Sequence, residues 1–210
     1  MGKDDVPKGW PAGIPYLAQP SFAPHITKSQ YQVTKTRPLG LDTEIPRDFP
    51  KGPSSLVRIV PICDPSHPAN GQAGLFATKQ LPPSSLILPY YGVVHSSVPP
   101  HNVAHELSDY DLWLDHDAGL AVDAERAGNE ARFVNDFRGI AIRPNCEFRE
   151  CWDSRRGERC MAVFVQPAGK NANKKAAAGI GKGEELLVSY GKGFWSKRQE
   201  DEDIFEGLNP

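Results

Sequence analysis

The groups in this chain that could do chemistry are spaced in ways that close several routes at once. None of the six histidines falls in an H-E-x-x-H pattern, which would set two imidazoles and a carboxylate around a catalytic zinc. Cys63, Cys146, Cys151 and Cys160 contain no C-x2-C pair, so no metal is expected to organise the fold and the thiols read as reduced. Ala73-Gly74-Leu75-Phe76-Ala77 precedes Leu81-Pro82-Pro83 and reads as a loop in which Gly74 would let backbone approach a ligand. Its spacing matches neither the dinucleotide fingerprint nor the P-loop, and no helix follows to hold a phosphate. Tyr90, Tyr110 and Tyr190 are phenols beside strand candidates, where the ordinary role is a packed ring with a satisfied hydroxyl. With a reference pKa of about 10, a phenol at neutral pH orients by hydrogen bonding and is a poor general base. Arg155-Arg156 could meet phosphates, yet a formal charge of -2 shows no nucleic-acid footprint, and direct nucleic-acid binding is not indicated.

These groups must be positioned by elements the composition constrains. At 210 residues, 39% hydrophobic and 24% charged, the chain can bury one core, while 19 glycines and 20 prolines exclude a helical bundle. Short β-prone runs stand at residues 56–60, 86–91, 111–114, 120–123, 146–152 and 161–165. Helix is expected only as short pieces, at 126–134 and within 98–107. The fold class is therefore mainly β with short helices. Residues 1–53 read as a proline-rich extended arm whose large apolar residues, Trp10, Tyr16 and Phe22 among them, anchor in grooves. Those grooves belong either to the chain's own sheets or to a second copy in a homodimer. On this reading, truncation to Lys51 changes solubility or oligomeric state more than the chemistry of the site. Residues 54–196 form the core domain, 167–179 a small polar loop insertion, and 197–210 an acidic tail. No apolar run approaches the roughly 20 residues that span a bilayer, and the polar start lacks a signal-peptide core, so an intracellular protein without membrane contact is expected.

Five segments in order sharpen the functional reading: Tyr90-Tyr91-Gly92, Ala121-Val122-Asp123-Ala124, the stretch 128–136 (Gly-Asn-Glu-Ala-Arg-Phe-Val-Asn-Asp), Arg143-Pro144-Asn145-Cys146, and 183–191 (Gly-Glu-Glu-Leu-Leu-Val-Ser-Tyr-Gly). Together they resemble the SET-domain family of protein lysine methyltransferases, over residues 56 to 195. The stretch 128–136 is similar to that family's G-N-x-A-R-F-I-N-H segment, and 183–191 to its G-E-E-L-x-x-x-Y-G ending. Three departures stand out: Gln72-Ala73-Gly74 where the family has G-x-G, Asp136 where it has histidine, and no cysteine after Tyr190, hence no zinc-binding tail.

The resemblance implies a SET fold of small β-sheets around a C-terminal pseudoknot and S-adenosyl-L-methionine as cofactor. It further implies in-line methyl transfer to a lysine of a protein or peptide, a histone tail foremost, in the nucleus, with the cytoplasm as the other compartment. By the same resemblance, Tyr190 and Tyr90 are the catalytic hydroxyls. The cofactor residues are Ala73, Gly74, Leu75, Phe76, Tyr110, Arg132, Phe133, Asn135, Asp136 and Tyr190, with Phe194 and Trp195 covering the adenine. Tyr110 and Trp113 line the lysine channel. Two alternatives stay open: a catalytically degenerate SET module that binds peptides or partners, and a methyltransferase for a non-histone protein.

Overall fold

The computed structural model describes residues 6–169, 178–191 and 194–195. The expected tail at 197–210 and most of the 167–179 insertion lie outside the described residues. Along the chain run β1 (Ser21–Phe22), α1 (Lys28–Thr34), β2 (Glu44–Ile45), β3 (Val57–Pro61), β4 (Ala73–Ala77), β5 (Leu86–Tyr90), β6 (Val93–Ser96), β7 (Asp111–Asp115), β8 (Leu120–Asp123), β9 (Asn135–Asp136), β10 (Cys146–Asp153), β11 (Glu158–Val165) and β12 (Leu187–Val188). The expected helix at 126–134 shrinks to a 3₁₀ turn, Glu130–Phe133, and that at 98–107 to another, His101–Ala104. Among the described residues no helix is long and apolar enough to cross a membrane.

Two four-stranded sheets, in the orders β1-β6-β8-β7 and β2-β10-β11-β5, share the molecule with the pairs β3-β4 and β9-β12. In the long β10–β11 hairpin, β11 alternates buried and half-buried from Glu158 to Met161 and is buried on both faces from Ala162 to Val165. Between the sheets lies a core of Leu75, Ile87, Leu88, Leu120, Ile180, Leu186 and their neighbours. The C-terminal stretch runs between two earlier segments. Glu184 and Leu186 exchange backbone bonds with Ala77 and Leu75 of β4, while Leu187–Val188 pairs in parallel with Asn135–Asp136. Asn145 locks the same stretch through its side chain, donating to the Glu185 carbonyl and accepting from the Leu187 amide.

The segment Ala73–Ala77, read from sequence as a loop, is strand β4, paired residue by residue with β3. Gly74 there avoids a collision: a Cβ would stand 2.4 Å from Glu185 Oε1. The N-terminal region is likewise more structured than an extended arm. Between Pro24 and Pro38 no proline interrupts the chain, and Thr27 caps α1 reciprocally with Gln30. Strands β1 and β2 add in parallel to β6 and β10, so the region completes both sheets of its own chain. Arg155 donates to the Phe49 carbonyl and Arg156 pairs with buried Glu158, so both arginines are engaged internally.

Candidate active site

A cleft of about 710 Å³ opens where the N-terminal region, the 68–73 turn, the 109–110 bend, the 132–140 stretch and the chain's returning end meet. Of the residues expected to serve a cofactor or substrate, Ala73, Tyr110, Arg132, Phe133, Asn135, Asp136, Tyr190, Phe194 and Trp195 line it. Gly74, Leu75, Phe76, Tyr90 and Trp113 do not. Gly74 is packed against Glu185, Leu75 is wholly in the core, and Phe76 lies on β4 opposite Arg58. Trp113 is 48% exposed and stacks on His116 instead of forming a wall.

Tyr190 is fixed at both ends: its backbone N–H donates to Asp136 Oδ2 at 2.7 Å and its hydroxyl donates to the Val134 carbonyl at 2.8 Å. Its ring meets Phe194 edge-on, and Phe194 meets Trp195 in the same manner. Tyr90 sits behind the cleft, its hydroxyl donating to the Tyr110 carbonyl at 2.6 Å. Burial, with the second phenol of Tyr190 nearby, pushes the Tyr90 hydroxyl well above the ordinary phenol range, so it stays protonated and supports the Tyr110 backbone.

Arg132 is almost wholly buried, and its guanidinium donates to the carbonyls of Ala124 and Glu125. It lies 4.3 Å from the Tyr110 ring centre and 5.1 Å from that of Phe133, a cation over two aromatic faces. Asn129, one turn earlier, accepts from the Tyr91 amide and donates to the Pro89 carbonyl, fixing the start of this stretch on β5.

Sequence reasoning missed three contributions. Gly9, Pro11 and Ile14 bring the N-terminal region into the cleft wall. Trp10 secures them, meeting Tyr16 and Phe133 edge-on and donating from its indole to the Ile14 carbonyl. Buried Glu130 accepts from the Tyr16 hydroxyl and the Ser54 amide, pinning the same region. Glu185 bridges Asn135 at 2.8 Å and His67 at 3.0 Å, with Pro68 and Ala69 of the cleft next in line. Because the Ala69 amide donates to His67 Nδ1, the ring proton sits on Nε2 and donates to Glu185. Glu130 was visible in sequence only as a member of the 128–136 stretch; its partners Tyr16 and Ser54, 114 and 76 residues away, cannot be read from spacing.

The SET-domain model matches residues 72–191, more than half of the chain. The chain belongs to the SET-domain family, the family of S-adenosylmethionine-dependent protein lysine methyltransferases. No curated protein sequence matches it. Among solved structures it is similar to the Chaetomium thermophilum polycomb repressive complex 2, at 23% identity and a TM-score of 0.43 over 57% of this chain and 14% of that one. It is also similar to ctPRC2 in an autoinhibited conformation bound to S-adenosylmethionine, at 22% and 0.49 over 70% and 17%. The chain thus spans under a fifth of the length of these solved chains, and the family assignment rests on the domain match. Among the described residues no group of three or more histidine, cysteine or acidic side chains could hold a metal ion.

Proposed function

We propose that this chain is a protein lysine N-methyltransferase that uses S-adenosyl-L-methionine, with a nuclear histone tail as the substrate the family resemblance favours. One observation carries the reading: Tyr190 meets Tyr110, Arg132, Phe133, Asn135 and Asp136 at a single cleft, although these come from three separate stretches of chain. The cleft is of small-molecule size, since such sites run to about 300–1,000 Å³. Its lining suits a ligand that joins a planar base to a charged amino-acid end. Phe133, Phe194 and Trp195 offer aromatic faces, Asn135 amide hydrogen bonds, and Gln72-Ala73 the backbone of a strand start. These residues would hold the cofactor. When bound, S-adenosylmethionine supplies a methyl group on a cationic sulfur.

The side chains of this protein have three tasks. They must exclude water from the lysine amine, since desolvation lowers an ammonium pKa and favours the neutral nucleophile. They must align that amine, for orientation is a main lever in a displacement. The Tyr190 hydroxyl hydrogen is committed to the Val134 carbonyl. What the oxygen has left to offer is lone pairs, so Tyr190 acts as an acceptor that orients an N–H of the amine. Finally, Tyr110 must be held at the wall, which Tyr90 does through its hydrogen bond from behind.

A second reading, a peptide-binding SET module without catalysis, is favoured by the packing of Gly74 against Glu185, which withdraws that glycine from the cleft. Calorimetric titration with S-adenosylmethionine separates the two: measurable affinity supports the enzyme, and its absence the module. Incubation with methyl-labelled cofactor and either histones or a cell extract then identifies the labelled protein, and labelling confined to non-histone bands would overturn the histone assignment. The seating of Trp10 and Tyr16 on the chain's own core supports a monomer over a homodimer joined by the arms, which light scattering tests.

A further inference from the structure

Strand pairing of the returning end stops at Val188, two residues before Tyr190. From there the Asp136 carboxylate, 7% exposed, takes over. Its Oδ2 accepts the Tyr190 amide at 2.7 Å and the Trp195 indole N–H at 3.3 Å. Its Oδ1 accepts the Arg138 amide at 2.9 Å. The Arg138 Nη1 reaches the two oxygens at 3.4 and 3.2 Å, and the guanidinium carbon lies 5.3 Å from the Trp195 ring centre and 5.4 Å from that of Phe137.

We propose that Asp136 is a positioning residue of this site: its carboxylate, with Arg138 as counter-ion, clasps the returning chain so that Tyr190 and Trp195 face the cleft in one arrangement. The inference rests on the methyl-transfer reading and names what sets its geometry. The chemistry of the group is specific. An ionised carboxylate offers about four lone-pair sites and no proton, and four N–H donors converge on it here. An asparagine would turn an NH2 toward one pair of donors, and a neutral histidine keeps a single lone pair. Histidine, the family's residue at this position, is therefore a poor replacement in this chain. The buried charge is tolerated because Arg138 neutralises it from the half-exposed side and its guanidinium completes the stack on Trp195.

The test compares Asp136→Asn, Asp136→His, Arg138→Gln and Trp195→Phe with the wild-type chain in three measurements. The first is hydrogen exchange at the Tyr190 amide without cofactor, the second calorimetric affinity for S-adenosylhomocysteine, and the third the KM for S-adenosylmethionine against kcat. Asp136→Asn and Asp136→His are expected to speed exchange at Tyr190 and weaken binding by about tenfold or more, since charge-assisted hydrogen bonds are lost and tenfold is about 1.4 kcal/mol. Trp195→Phe keeps an aromatic face, smaller than the indole, and loses one donor, and Arg138→Gln keeps the carboxylate and loses its counter-ion. Both should raise KM more than they lower kcat, a split that lost stability alone does not produce. Should the Asp136 variants fail to fold, these two carry the test. Unchanged Tyr190 exchange together with unchanged affinity would overturn the clasp. A wild-type chain with no affinity for S-adenosylhomocysteine would overturn the methyl-transfer reading instead, and the exchange rates alone would then decide the clasp.

Discussion

Trp10→Ala should loosen the N-terminal region from the cleft and weaken cofactor binding, although Trp10 itself does not line the cleft. Its half-buried indole forms two edge-to-face pairs, with ring centres 5.2 Å from Tyr16 and 5.7 Å from Phe133, and its N–H donates to Ile14 at 2.6 Å. Each aromatic pair contributes about 0.5–1.5 kcal/mol beyond burial. Roughly 100 Å² of buried indole adds about 2.5 kcal/mol at 25 cal/mol per Å². Part of this survives in a collapsed free arm, so a net loss of about 3 kcal/mol in docking is expected. That corresponds to about a hundredfold rise in the undocked population. The assay is native-state hydrogen exchange at the Leu17 and Gly128 amides, which bond to the Gly128 and Pro15 carbonyls and so exchange when the arm lifts. The amide of Val163, in the β10–β11 hairpin, serves as control. Affinity for S-adenosylhomocysteine should fall in parallel, because Gly9, Pro11 and Ile14 leave the wall. If exchange at Leu17 and Gly128 matches the wild type, or rises without any change in affinity, the region is not part of the site. This reverses the weighting expected from sequence, which put the effect of truncation on solubility or assembly ahead of effects on the site.

Tyr190→Phe is expected to lose most methyl transfer at unchanged cofactor affinity while costing about 1 kcal/mol of stability for its bond to Val134; full activity would place the aligning hydroxyl elsewhere. Gly74→Ala should destabilise by about 1–3 kcal/mol in thermal melts, as overpacking does, because its Cβ would stand 2.4 Å from Glu185 Oε1 and displace it from Asn135 and His67. Two histidines should set opposite pH dependences. His25 accepts the Ser96 amide at Nε2 and so must be neutral there; burial and the stacked His101, with His95 and His105 nearby, hold its pKa below the ordinary value. Its contribution is present above the ordinary imidazole value, about 6.5, and is lost as pH falls through the depressed one. His95 faces acceptors at both nitrogens, the Ser96 carbonyl and Asp111. Burial opposes its charge, but these partners outweigh burial and raise its pKa, so its contribution is lost as pH rises through that raised value. In melts across pH, His25→Gln should flatten the acid side and His95→Gln the alkaline side; curves parallel to the wild type would refute both assignments.

The segments 128–136 and 183–191 were legible through their resemblance to the family's motifs although their partners are distant, and the expected strands at 86–91, 120–123 and 146–152 agree with β5, β8 and β10 to within a residue. Ala73–Ala77 was misread because its glycine and alanines have poor strand propensity and its order comes from pairing with β3. The prolines of the N-terminal region argued rightly against long helix but hid α1, whose Thr27-x-x-Gln30 box was visible in sequence. Asp136 was legible as an unusual residue, yet what it does depends on Trp195, 59 positions away, and that distance carries no periodic signal.

The cleft draws its wall from residue 9 at one end to residue 195 at the other. A chain still being made has no such cleft: Trp10 emerges early but has no Phe133 to meet, and Asp136 waits for Tyr190. Pairings this far apart in sequence are the slow ones, because loop closure must precede their reward. The capacity to bind a cofactor thus requires both ends of the chain to be in place, and a ligand of the folded cleft would stabilise only molecules in which they are.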